Sequence, residues 1–176
     1  SGQDKVVDVT GGAGCACRAI AKDLAAQGAK VAVADYDEFR ANELVKAIEA
    51  DGGFALPIRA NVLEKKEVQG AFHCVLESFG KVDILINGAG GNKKEATTSD
   101  VMSFFDMPTD AIKWVFDLNF IGTLLPSQVF GKYMAGQKHG IILNVSSMSA
   151  FSALTKVGLY SANKAAISNF TGWLAV

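Results

Sequence analysis

No sign of charge dominates this chain: 17 lysines and arginines stand against 18 aspartates and glutamates, a formal net charge of -1 over 176 residues. Without a basic excess there is no electrostatic footprint for nucleic acid or an anionic membrane, so a small molecule is the expected partner. Long apolar runs are missing too. None approaches the roughly 20 residues that cross a bilayer, and the opening SGQDKVVDV lacks the apolar core of a secretion signal. Cysteine is scarce: Cys15, Cys17 and Cys74 form an odd set without a disulfide framework, which suits a reducing compartment, and the cytoplasm is the expected location. With only two histidines in the sequence, a zinc site on the Cys-x-Cys pair is short of ligands, and no metal is expected. What is present, 49% hydrophobic and 20% charged residues, is the make-up of one globular domain over 1–176, long enough to bury about two thirds of its unfolded surface.

Short β-branched runs alternate with longer helical patterns. KVVDVT, KVAVAD, FALPIRA, VDILINGAG and GIILNVSS read as strands; AIAKDLAAQG, ANELVKAIEADG, KEVQGAFHCVLESFG, TDAIKWVFDLNFIGTLLPSQVFGKYM and a final YSANK-bearing run read as helices. Near-continuous apolar strands taking turns with helices predict an α/β fold, a doubly wound parallel sheet covered on both faces. Gly28, Gly52 and Gly80 each follow a helical run and precede a strand, where a left-handed cap is wanted. Asp8 falls inside a strand expected to be buried on both faces, where an unpaired carboxylate is costly.

The first strand-to-helix turn, VTGGAGCACRAIA, is rich in glycine and sits where backbone amides close on a pyrophosphate. The next strand ends in Asp35, 24 positions after Gly11, where a carboxylate accepts hydrogen bonds from the adenosine ribose and repels a 2'-phosphate. NAD is therefore favoured over NADP, with Arg18 as the opposing sign. Farther on, Tyr160 and Lys164 are four residues apart in a helical run, so the ammonium lies beside the phenol and favours its ionised form. That is equipment for general acid and base catalysis.

Four separated motifs give the chain a resemblance over nearly its whole length to the short-chain dehydrogenase/reductase family. TGGAG, Thr10 to Gly14, is similar to that family's cofactor loop; NGAG, Asn87 to Gly90, resembles its NNAG element; Asn119 and Ser147 fall where the family places a catalytic asparagine and serine; and YSANK matches its tyrosine and lysine. Within the family, INGAGGN, FFDM, WVFDLNFIGTLLPSQVF, SSMSAF and LTK most resemble the branch of D-mannonate oxidoreductases, or fructuronate reductases.

The resemblance implies a Rossmann-type fold and hydride transfer between a nicotinamide cofactor and a carbonyl or alcohol. Tyr160 would exchange the proton at the reacting oxygen, Lys164 would lower the Tyr160 pKa and bond the nicotinamide ribose, Ser147 would hold the oxygen, and Asn119 would order a water leading to Lys164. The cofactor contacts it implies are Thr10, Gly11, Gly12, Gly14, Asp35, Asn61, Val62, Asn87, Gly88, Ala89 and Gly90, with Tyr160 and Lys164. For the carboxylate and hydroxyls of a sugar acid, Asn92, Lys93, Ser149 and Lys156 are the candidates, on loops at the carboxyl ends of strands. A homo-oligomer, dimer or tetramer, is implied through the two long helices.

Several positions depart from the family pattern. Cys15 and Cys17 stand where the cofactor loop usually has glycine, which puts backbone approach and helix packing in question. Asn61 replaces a usual aspartate. The family continues past the YSANK helix with a sixth strand, a substrate-covering segment and a seventh strand, whereas this sequence stops at Val176, so an unfinished substrate pocket and exposed apolar faces on the fifth strand and last helix are expected. Beside the sugar-acid oxidoreductase stand three alternatives: an enzyme for another polyol or keto acid such as 5-ketogluconate, a dinucleotide-binding module without turnover, and a thiol redox sensor.

Overall fold

The computed structural model describes residues 2–152 and 154–176. Five parallel strands, β1 (Val6–Thr10), β2 (Lys30–Asp35), β3 (Phe54–Arg59), β4 (Ile84–Asn87) and β5 (Ile141–Asn144), form one sheet in the order β3-β2-β1-β4-β5. The chain winds outward from β1 through β2 to β3, then returns to the other side of β1 for β4 and β5. The strand order reverses between β1 and β4, and the crevice at their carboxyl ends is where such sheets bind ligands. This is the doubly wound, Rossmann-type sheet that the alternation of patterns predicts.

Helices α1 (Cys15–Ala26) and α2 (Glu38–Ala50) cover one face, packing around Val7, Val9, Val31 and Val33. On the other, α3 (Lys65–Phe79) and α5 (Gly122–Gln137) bring Val75 and Phe130 onto Val6, Ala32 and Leu85. Side chains alternate along a strand, so Asp8 shares the face of Val6, between Ala32 and Leu85 in register. It is fully buried and, among the described residues, neither carboxylate oxygen has a hydrogen-bond partner, the costly placement foreseen. Burial alone pushes its pKa up from 3.8 to about 7. Gly28, Gly52 and Gly80 all adopt left-handed φ angles, of 88°, 83° and 79°, ending helices as expected.

The long helical pattern of TDAIKWVFDLNFIGTLLPSQVFGKYM is not one uniform helix. Helix α4 (Thr109–Phe116) widens into a π-helical turn at Asp117–Ile121 before α5 begins, and Pro126 lies inside α5. The widened turn carries Asn119, whose carbonyl accepts the Thr123 hydroxyl at 2.9 Å. Such a turn re-aims one residue of an otherwise regular helix, a device common at functional sites. Finally α6 (Gly158–Leu174) lies against α4, the π turn and the short helix Met148–Ala150. Ile141 and Leu143 of β5 are 54% and 45% exposed, and Trp173 of α6 is 70% exposed.

Candidate active site

The side of the crevice between the loops after β1 and β4 is made of main chain. After β1 the chain turns at Gly11 with φ 60°, and a Cβ there would come within 2.7 Å of the Ala89 backbone, so the loops after β1 and β4 touch. The Thr10 hydroxyl accepts the Gly88 and Ala89 amides at 3.2 and 3.3 Å and hangs the β4 loop from the end of β1. A Cβ on Gly12 would meet the Val9 carbonyl at 2.8 Å, and the Gly12 amide donates to Ala34 O at 3.2 Å. Gly14 begins α1 with no side-chain cap and no acidic residue in the first turn, which leaves the positive end of the helix open to an anion.

Asp35 ends β2. It accepts the Ala13 amide through Oδ2 and the Asp37 amide through Oδ1, both at 3.0 Å, while Arg40 donates through Nη2 to Ala13 O at 3.1 Å. Asp35 lines a groove of about 570 Å³ with Gly11, Asn61, Val62, Gly88, Ala89 and Gly90. The Asn61 side chain accepts the Leu63 amide at 3.0 Å and shapes the turn after β3. Tyr36, Arg40, Trp114 and Leu118 line the groove as well and were not read from the sequence. Trp114 and Leu118 stand four residues apart, about one helical turn, and so share the groove wall; Arg40 follows Asp35 within the first turn of α2.

Beyond Gly90 the site passes to side chains. A Cβ on Gly90 would lie 2.7 Å from Asn119 Oδ1 and 3.3 Å from Lys164 Nζ, so this glycine is where the groove meets Asn119 and Lys164. Asn119 is fully buried and clamps the loop: Nδ2 donates to Gly91 O at 2.7 Å and to Val115 O at 2.8 Å, and Oδ1 accepts the Gly91 amide at 3.1 Å. Lys164, 4% exposed, donates to Val145 O at 2.8 Å, with Nζ 5.6 Å from the centre of the Tyr160 ring. Burial lowers its pKa below the usual lysine range, with the Cys17 thiol opposing that shift. The two side chains thus stand together one helical turn apart, and Tyr160 is half-buried.

Ser147 follows β5 and caps the short helix Met148–Ala150, its hydroxyl accepting the Ser149 amide at 3.2 Å and the Ser149 hydroxyl at 2.9 Å. Ser149 is buried behind it. Ser146 turns the other way, donating to Lys164 O at 3.1 Å and meeting Ser168 Oγ at 2.7 Å. Lys156 is exposed with a left-handed φ of 72°, and its carbonyl accepts the Thr98 amide at 3.0 Å, which ties its loop to the one bearing Asn92 and Lys93. Asn92 donates to Thr97 Oγ1 at 3.0 Å. The Lys93 ammonium lies 5.4 Å from the Trp114 ring centre, beside the groove wall. Cys15 is exposed and Cys17 is buried, so the two thiols face different surroundings.

A family model described as short chain dehydrogenase matches residues 5–176. The chain belongs to the short chain dehydrogenase family. Among its relatives, an uncharacterized oxidoreductase of Haemophilus influenzae is 43% identical over 99% of this chain and 65% of its own length. Another, UxuB of Bacillus subtilis, is 44% identical over 98% of this chain and 65% of its own. This short chain dehydrogenase therefore spans about two thirds of the length of those relatives. A crystal structure from Haemophilus influenzae, described as a candidate D-mannonate oxidoreductase with bound NAD, superposes with a TM-score of 0.93 at 42% identity, covering 98% of this chain and 65% of that one. An NAD-bound short chain dehydrogenase/reductase of Burkholderia phymatum gives 0.89 at 30% identity, over 98% and 59%.

The glycine floor, the uncapped start of α1 and the Asp35 carboxylate fit a nicotinamide dinucleotide. A side chain at Gly11 would fill the cradle where the two loops meet. Among the described residues no helix is long and apolar enough to cross a membrane.

Proposed function

We propose that this chain carries the cofactor-binding and proton-transfer residues of an NAD(H)-dependent oxidoreductase acting on a sugar acid or a related keto or hydroxy compound, with D-fructuronate and D-mannonate as the leading pair. The observation that carries the reading is the buried Lys164 ammonium beside Tyr160, joined through Gly90 to a glycine-floored groove with Asp35 at its far end. The cofactor, when bound, supplies or accepts the hydride. Tyr160 donates the phenolic proton to the carbonyl oxygen, or takes it back from the alcohol in the reverse direction. Lys164 holds positive charge next to that phenol, and Ser147, its hydroxyl oriented by Ser149, donates a hydrogen bond to the reacting oxygen. Asn119 holds the Gly90–Gly91 turn at the junction. Lys156 and Lys93, on loops joined by the Thr98 amide to Lys156 O, are the candidate partners of a carboxylate.

NAD is preferred to NADP because the Asp35 carboxylate would stand against a 2'-phosphate. One domain carries both functions. Phe116, Phe120, Phe170 and Trp173 form a ladder of ring contacts spaced 5.3 to 6.2 Å across the α4 end, the π turn and α6, with Phe116 and Trp173 exposed, and this ladder supports self-association through those helices. Three free cysteines favour the cytoplasm. The test is NADH and NADPH oxidation by the full-length protein against fructuronate, tagaturonate, 5-ketogluconate and neutral ketoses, beside Tyr160→Phe. Turnover of a keto acid by wild type and not by the variant supports the reading; silence with every substrate ends the enzyme reading.

A further inference from the structure

Two departures from the family pattern meet in space. Cys17 stands where the cofactor loop usually has glycine, and Gly88 stands at the second position of NGAG, where the family element NNAG has asparagine. Cys17, in the first turn of α1, is 3% exposed and packs with Val7, Val9 and Ile86. A Cβ built on Gly88 would overlap Cys17 Sγ outright, would lie 3.4 Å from Cys17 Cβ, and would come 2.8 Å from Thr10 O. The same turn hangs from Thr10 by three bonds, Gly88 N to Thr10 O at 3.1 Å and the Gly88 and Ala89 amides to Thr10 Oγ1. Its next residue, Ala89, rests against Gly11.

We propose that Cys17 is a positioning residue for the cofactor loop after β4: its thiol fills the space that a side chain at position 88 would take, so Cys17 and Gly88 form a size-exchanged pair that seats the Gly88–Gly90 turn at its working height over the groove. Interiors are packed closely enough that a side chain of this size cannot be present at both positions, and its absence from both leaves a void. With Cys17 in place the turn is held on three sides, by Thr10, Gly11 and Cys17. Gly88, Ala89 and Gly90 all line the groove, so their height sets the contact a dinucleotide receives. The thiol acts as a packing group: burial pushes its pKa up, against the opposing charge of Lys164, and so keeps it from the thiolate form that reacts. This inference rests on the reading of the groove as a dinucleotide site.

NADH binding by the full-length protein, followed by nucleotide fluorescence, tests it alongside the Tm of every variant. Gly88→Ala is expected to raise the NADH Kd by roughly tenfold, and Cys17→Gly by about threefold. The double variant Cys17→Gly/Gly88→Ala should bind at least about threefold more tightly than Gly88→Ala alone, because the new methyl enters the vacated space; recovery stays partial, since the contact with Thr10 O remains. Cys17→Ser, similar in size, should bind NADH as wild type does. Wild-type affinity in Gly88→Ala, or losses that multiply in the double variant, would overturn the proposal. Should Gly88→Ala fail to fold, a folded and NADH-binding double variant supports the pair, and an unfolded one refutes it. If wild type binds neither NADH nor NADPH, the dinucleotide reading itself falls, and the pair is judged on Tm: compensating shifts sustain it and additive shifts remove it.

Discussion

Around Gly11 and Asp35 the candidate site is built largely from main chain, whereas around Asn119 and Lys164 it is built from side chains. In the first region the decisive facts are closeness and φ: Gly11 against Ala89, Gly12 against Val9 O, Asp35 receiving two backbone amides. In the second they are side-chain bonds: Asn119 gripping Gly91, Ser149 bonded to Ser147, Lys164 reaching Val145 O. The difference has a chemical reason. A pyrophosphate needs amides and room, which glycine gives, while proton transfer needs titratable groups at fixed positions. The two regions should therefore fail separately, one in binding and the other in turnover.

The sharpest way to separate them is Tyr160→Phe. Removing one hydroxyl at the proton-transfer end should lower kcat on the order of 10³-fold or more, with the NADH Kd and Tm within about twofold and 2 °C of wild type. Steady-state rates beside NADH titrations read both quantities. A variant that loses cofactor affinity as steeply as turnover would erase the distinction between the two regions.

How much of this was legible in advance follows the same division. TGGAG, Asp35 and YSANK are spaced along the chain as they are used, so the glycine turn, the strand end and the helical pair were readable directly. The π turn at Asp117–Ile121 was not, because a widened turn leaves the apolar pattern of the surrounding helix nearly intact. Arg40 and Trp114 escaped notice because their place on the groove depends on helix phase relative to a distant loop. The Cys17–Gly88 contact was also hidden: the cysteine was visible as a departure, but its partner is 71 positions away and becomes a neighbour only through β4 pairing with β1.

A second test lies outside both regions. Asp8 is paired through its backbone in β1, but among the described residues its carboxylate has no hydrogen-bond partner, and its pKa is pushed up to about 7. An acid whose folded pKa lies above its unfolded value binds more protons when folded. Stability is therefore lost as pH rises from about 4 to about 7, and the full cost is present above that window. At about 1.4 kcal/mol per pH unit of separation, the cost is bounded at roughly 4 kcal/mol. Asp8→Val should stabilise the protein most at pH 8 and least at pH 4, as urea melts at both values would show. Equal stabilisation at the two pH values would mean that Asp8 is charged or bonded in the folded state.

Asp35→Ser probes the main-chain region with a smaller expected effect. Removing the carboxylate takes away repulsion of a 2'-phosphate, so the ratio of NADH to NADPH affinity should fall by roughly 10- to 30-fold, a change of about 1.4 to 2 kcal/mol. Turnover with saturating NADH should change far less. Because Asp35 also receives the Ala13 and Asp37 amides, some loss of NADH affinity accompanies the switch. An unchanged ratio would place cofactor choice with another residue, and Arg40, which lines the groove and is bonded to Ala13 O, is the next to test.

The smallest effect is expected at the outer edge of the side-chain region. Lys156 is exposed, and an exposed ammonium gains little from a carboxylate because water screens the pair. Its backbone, however, is held in a left-handed conformation and bonded to Thr98, so its loop is fixed against the one carrying Asn92 and Lys93. Lys156→Met keeps the length of the side chain and removes the charge. It should raise KM for a keto acid about three- to tenfold, under roughly 1.4 kcal/mol, and leave KM for the corresponding neutral ketose unchanged. Equal changes for the two substrates would assign Lys156 to holding the loop, and the carboxylate partner would then be sought at Lys93, where the ammonium already lies over Trp114 at the border of the two regions.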